Sequence, residues 1–199
     1  SLYRSVLATF PNHAGTLHLL GTLAQQQGRH DEALALLVKA AKHEPRNAVF
    51  YASLAASERA LGRPSDAEAS YRRAIKLNPG LAEAHNNLGN LLSERGRYAA
   101  AASSLLRALS AKPTLPDAHN NLGVVLEALG RIEEAGGAYQ RALALRPDYV
   151  QAAQNLARLS ARTPLVDANE RYGRLLDENP DEAALWRDWG AALYGAGRM

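Results

Sequence analysis

Ala82-Glu83-Ala84-His85-Asn86-Asn87-Leu88-Gly89-Asn90 opens a block that the rest of the chain copies. The block continues through Gly96 and Tyr98 to Leu115. It reads as a helix, a turn at Gly96, a second helix and a stop at Pro113. Moved forward by 34 residues it reappears as Asp117-Ala118-His119-Asn120-Asn121-Leu122-Gly123. Moved back by the same step, Gly62 falls on Gly96, Ala67 on Ala101 and Pro79 on Pro113. A fixed period of this length marks a stacked-repeat architecture.

The step holds over nearly the whole chain. Pro11, Pro45, Pro79, Pro113 and Pro147 follow it, as do Leu20, Leu54, Leu88, Leu122 and Leu156. Gly21, Ala55, Gly89, Gly123 and Ala157 come directly after those leucines. Gly28, Gly62, Gly96 and Gly130 mark the turn, and two alanine series, Ala33 to Ala135 and Ala40 to Ala142, recur on the second helix. This pattern resembles the tetratricopeptide repeat family. The resemblance implies an all-α fold, a right-handed α-solenoid of stacked antiparallel helix pairs. Elementary packing points the same way. Helices that approach closely need small residues such as Gly89 and Ala101 at the contact. Leu88, Leu92, Leu105 and Leu109 give each helix of the pair an apolar stripe at helical spacing. One hairpin cannot bury both stripes, so neighbours must stack.

Read in register, residues 1–199 form a single array. Repeats span 14–47, 48–81, 82–115, 116–149 and 150–179. Residues 1–10 read as the tail of an incomplete repeat, because Tyr3 is in register with Leu37 and Tyr71. Residues 183–199, with Trp186 and Trp189, read as the start of another. Leu2, Tyr3, Val6 and Leu7 at one end, and Trp186, Trp189 and Leu193 at the other, then belong to helices without a mate. End-to-end self-association through these termini is the resulting expectation. Three local departures stand out. Glu58 occupies a place where a bulky packing residue is usual, which predicts a looser second hairpin. Gly136-Gly137 interrupts a second helix, either as a tolerated weak spot or as a close approach of another backbone. Ala161-Arg162-Thr163-Pro164 replaces the turn glycine of the fifth repeat.

Composition excludes several functions. Hydrophobic residues make up 47% of the chain and charged ones 22%, ordinary values for a globular protein. The formal net charge of +3 is too small to argue for nucleic acid. Arg29, Arg63, Arg97 and Arg131 each follow a turn glycine and read as solvated turn residues. With no cysteine there is no disulfide framework and no thiolate metal site. No apolar run approaches the roughly 20 residues of a membrane span. No catalytic constellation emerges, and no metal or cofactor is expected. His85 and His119 share a packing register with Leu17, Tyr51 and Trp186, which argues for structural histidines.

Asparagine is the polar signal that remains. Asn87, Asn121 and Asn155 lie at the repeat step, Asn86 and Asn120 stand beside them, and Asn90 follows one turn later. Asparagine is a mediocre helix former, so three copies in register ask for a reason. An amide offers donors and an acceptor and can hold an extended backbone without reading its side chains. The series is similar to the asparagine ladder in the repeat region of O-GlcNAc transferases, which implies that it faces an inner, concave wall. The expected site is therefore Asn86, Asn87, Asn90, Asn120, Asn121, Asn155 and Arg158. A lysine beside the asparagines, as a carboxylate clamp requires, is missing from the rows containing Asn86 and Asn90. Glu83, Asp117 and Glu127 predict an acidic side to repeats three and four, and Arg158, Arg162 and Arg187 a basic end. The expected function is a non-catalytic scaffold for protein or peptide segments, most simply cytoplasmic and bacterial. The same resemblance supports a second expectation, the substrate-recruiting arm of a larger O-GlcNAc-transferase-like glycosyltransferase.

Overall fold

The structure is a computed structural model that describes residues 2–162, with side-chain surroundings for 6–161. The altered turn at Thr163-Pro164, Arg187, the side chain of Arg162 and the helix expected to carry Trp186, Trp189 and Leu193 lie outside the described residues. Within them the chain is all helix, with no strand. A short α1 (Leu2–Thr9) precedes α2 (Ala14–Gln26), α3 (His30–His43), α4 (Ala48–Ala60), α5 (Pro64–Leu77), α6 (Ala82–Glu94), α7 (Tyr98–Ala111), α8 (Pro116–Ala128), α9 (Ile132–Leu145) and α10 (Val150–Arg162). Ser1–Pro147 forms one compact unit, containing α1–α9, and α10 belongs to a second, Asp148–Met199.

Each first helix ends at a residue that only glycine fills without strain. Gly28, Gly62, Gly96 and Gly130 have φ of 74°, 70°, 71° and 74°. The chain reverses there, and Arg97 N donates to Leu92 O across the turn at 2.9 Å. Proline sits in the first turn of α5 and α8, where its missing N–H is not needed.

In the first unit, α2 pairs with α3, α4 with α5, α6 with α7 and α8 with α9. Each hairpin then packs on the next through α3 with α4, α5 with α6 and α7 with α8. Contacts between helices are confined to neighbouring hairpins, which is the sequential stacking of a solenoid. Leu37, Tyr71, Leu105 and Tyr139 are fully buried, one in each second helix. Leu37, Leu105 and Tyr139 fill the space left by Gly21, Gly89 and Gly123 on the first helices. A Cβ added at Gly89 would lie 2.6 Å from Leu105 Cγ and 3.2 Å from the Ala101 carbonyl oxygen. Helix α6 therefore approaches α7 to a distance that only glycine allows there.

The first helices also touch one another: α2 meets α4, α4 meets α6 and α6 meets α8. No comparable packing joins α3 to α5, α5 to α7 or α7 to α9. A stack whose two layers are spaced unequally curves toward the tighter one. The first helices thus form the inner wall of the unit and the second helices its outer wall.

Ion pairs clasp this frame. Glu68 on α5 accepts from Arg72, and from Arg95 and Arg97 in the next hairpin, at 2.8–2.9 Å. Burial opposes its charge, but the hydrogen bonds from Arg72 and Arg97 outweigh it and hold the carboxyl below its usual range. Lys112 meets Glu83 at 3.0 Å and Arg146 meets Asp117 at 3.1 Å, closing the open ends of two successive hairpins at the same register. These two carboxylates are engaged within their own hairpins. Glu127, the third acid of repeats three and four, accepts from the Tyr139 hydroxyl at 3.2 Å and keeps its charge.

Candidate functional site

The inner wall is built by the residues that precede the core leucines of the first helices. Leu88 and Leu122 are buried. One residue earlier, Asn87 and Asn121 are half-buried, as are Asn86 and Asn90. Their amides are linked to one another. Asn121 Nδ2 donates to Asn86 Oδ1 at 3.0 Å, bridging α8 and α6. Asn86 Nδ2 donates in turn to Asn87 Oδ1 at 3.2 Å. Asn87 is hydrogen-bonded to the hydroxyl of Tyr71. That phenol lies deep in the core, and burial pushes its pKa up to about 12.

A chain of amides thus runs from the core of the second hairpin to the surface of the fourth. Each amide can make up to four hydrogen bonds, and those in the chain use only part of that capacity. The links fix the orientation of the groups and leave donors and acceptors on the half-exposed side. Asn90, one turn along from Asn86, makes no hydrogen bond among the described residues. Asn86, Asn87 and Asn121 are therefore coupled side chains rather than independent ones.

The same device joins the first two hairpins with different residues. His18 Nε2 lies 2.9 Å from Ser53 Oγ, and Gln25 Nε2 donates at 2.7 Å to both Ser53 O and Ser57 Oγ. The His18 ring stacks on Phe50 at 4.7 Å, and burial lowers its pKa. Between the second and third hairpins Arg59 Nε donates to Glu94 Oε2 at 3.1 Å.

The other expected site residues separate. Asn120 is buried, 5% exposed, and presents little surface beside the half-buried Asn86, Asn87 and Asn121. Asn155 and Arg158 lie on α10 in the second unit, where Arg158 Nη2 is 3.5 Å from Asn155 Oδ1. His85 and His119 have a structural task. Their Nε2 atoms lie 3.0 Å from Pro79 O and 2.9 Å from Pro113 O. Because a carbonyl only accepts, Nε2 carries the proton, and the ring ties the first turn of the helix to the loop before it. No group of three metal-ligating side chains occurs among the described residues.

Sequence reasoning missed one feature. Lys39, Arg73, Arg107 and Arg141 recur at the repeat step on the second helices, and all four are exposed. The step alone was sufficient to find them.

The model of the tetratricopeptide repeat matches residues 18–82, 53–116 and 87–150, most of the chain. The chain belongs to the tetratricopeptide repeat family. Among solved structures, MamA is 27% identical with a TM-score of 0.65, over 73% of this chain and 85% of that one. PilF of Pseudomonas aeruginosa is 24% identical with a TM-score of 0.72, over 90% of each chain. YrrB, described as a tetratricopeptide repeat protein with an unusual peptide-binding site, is 24% identical with a TM-score of 0.63, over 76% of this chain and 78% of its own. The last two likenesses establish the fold. No curated protein matches. Among the described residues, no tetratricopeptide helix is long and apolar enough to cross a membrane.

Proposed function

We propose that the protein is a non-catalytic interaction scaffold that holds extended peptide segments against its inner wall. The observation that carries this reading is the row of half-buried, mutually oriented amides at Asn86, Asn87 and Asn121, with Asn90 beside it. An extended peptide exposes an N–H and a C=O at every residue. Amides held in place at the repeat pitch match those groups and are indifferent to side chains. Pre-orientation lowers the ordering cost of binding. The peptide-binding site named for YrrB, a protein of the same fold, supports a peptide as the ligand class.

The test begins with linear peptides selected from a random displayed library on the full chain. For the tightest of them, Asn87→Ala/Asn121→Ala weakens binding about tenfold or more. The same variant loses the bonds of Asn87 to Tyr71 and Asn86 and of Asn121 to Asn86, so unfolding shifts by about 1–3 kcal/mol and binding is compared where both proteins are fully folded. Equal affinity of the variant and the parent chain overturns the reading.

A further inference from the structure

The outer wall carries a second surface. Lys39, Arg73, Arg107 and Arg141 stand at equivalent positions on α3, α5, α7 and α9, all exposed and all in the first unit. Ordinary helix electrostatics does not account for them. They lie four residues before the helix ends, beyond the last turn in which the helix dipole favours a cation. An exposed cation on a helix is commonly matched by an acid three or four residues away. This protein uses that pairing elsewhere, as in Arg131 with Glu134 and Arg72 with Glu68. Around the four row residues, no position three or four away is acidic, and for two of them the position three residues on is another lysine, Lys42 or Lys76. None of the four forms an ion pair among the described residues; Arg73 instead lies over the Tyr51 ring at 5.8 Å.

The row is flanked by apolar surface. Val38 and Leu106, each immediately before a row cation, are 48% and 55% exposed. Between α5 and α7, where the second helices stand apart, lies an open depression of about 310 Å³. Arg72, Lys76 and Arg107 rim it, Ile75 and Leu88 supply its apolar surface, and Ser103 adds a hydroxyl. Lys76 and Arg107, from two successive hairpins, thus border one hollow whose lining holds no carboxylate, while Arg72 beside them is paired with Glu68.

We infer that this outer face is a docking surface for an acidic protein segment, one whose carboxylates alternate with aliphatic side chains. The carboxylates meet the row, and an aliphatic side chain enters the hollow between α5 and α7. Charge complementarity selects the acidic class. The exposed valine and leucine, and the aliphatic surface of the hollow, favour a protein over a nucleic acid, which would call for polar or aromatic contacts. The face is separate from the amide row and lies on the other layer of helices, so two segments could be held at once.

The test uses the full chain and a fluorescein-labelled peptide of alternating glutamate and leucine pairs, read by anisotropy. A peptide with serine in place of glutamate, and a labelled DNA duplex, are the other arms. The acidic peptide binds, and Arg73→Ser/Arg107→Ser weakens it about tenfold, as does raising salt from about 0.05 M to 0.5 M. Both arginines are exposed, and an unchanged unfolding curve shows that the variant is intact. Asn87→Ala/Asn121→Ala binds the acidic peptide as the parent does. Three results overturn the inference: no binding of the acidic peptide, equal affinity of the arginine variant, or tighter binding of the duplex with loss in the same variant.

Discussion

At the scale of single residues, Glu58 shows how a misfit is tolerated. It stands in register with Leu92 and Leu126, both buried, and brings a carboxylate to that place. One oxygen, Oε2, is buried without a hydrogen-bond partner. Burial raises the Glu58 pKa; a hydrogen bond from Ser70 opposes the shift, Asp66 adds to it and Arg63 reduces it. The folded state therefore prefers the protonated form more than the unfolded state does. Stability from this group is present below the ordinary carboxylate range and is lost as pH rises through the raised pKa. Glu58→Leu should raise stability at neutral pH by about 1 kcal/mol or more, by removing an unsatisfied buried oxygen and restoring the apolar stripe. It should also flatten the decline in stability between mildly acidic and neutral pH. Urea unfolding at both pH values checks this, and lower stability of the leucine variant at neutral pH contradicts it. The residue was legible as an anomaly in the sequence. The orphaned oxygen behind it was not, because hydrogen-bond geometry has no sequence signature.

At the scale of elements, the repeat step recovered the hairpins, their glycine turns and the small-to-large contacts such as Gly89 against Leu105. It did not recover the bonds that join one hairpin to the next. Three of those bonds connect a residue with the neighbour of its own copy, 35 positions away: His18 with Ser53, Arg59 with Glu94, Asn86 with Asn121. A comparison at 34 passes over them. The ion pairs within a hairpin are also invisible at that step. Glu83 and Asp117, read as part of an acidic side to repeats three and four, are paired with Lys112 and Arg146 at the far end of the same hairpin. Helix α9 offers a direct test of local propensity. It continues through Gly136 and Gly137, and a Cβ added at Gly137 would meet nothing within 4 Å. Among the described residues, no part of the chain comes close to that glycine. Gly137→Ala should stabilise the protein by up to about 1 kcal/mol through helix propensity alone. Thermal unfolding measures the gain, and a loss of stability would show that something packs on that spot.

At the scale of the molecule, unequal spacing of the two helix layers gives the first unit two surfaces of different character. First helices that touch bring amides from successive hairpins within hydrogen-bonding distance and make the inner wall polar and ordered. Second helices that stand apart leave a hollow on the outer wall, ringed by arginine and lysine. A solenoid held together by nearest-neighbour contacts keeps both surfaces in register along its length. The central claim is that the inner amides receive the ligand. Their side-chain NH₂ resonances report on it directly. When a library-selected peptide is titrated into isotope-labelled protein, the account predicts that the side-chain amide signals of Asn86, Asn87, Asn90 and Asn121 shift together and saturate with the binding curve. Saturable binding that leaves those four signals in place, while residues of the second helices shift, would contradict it.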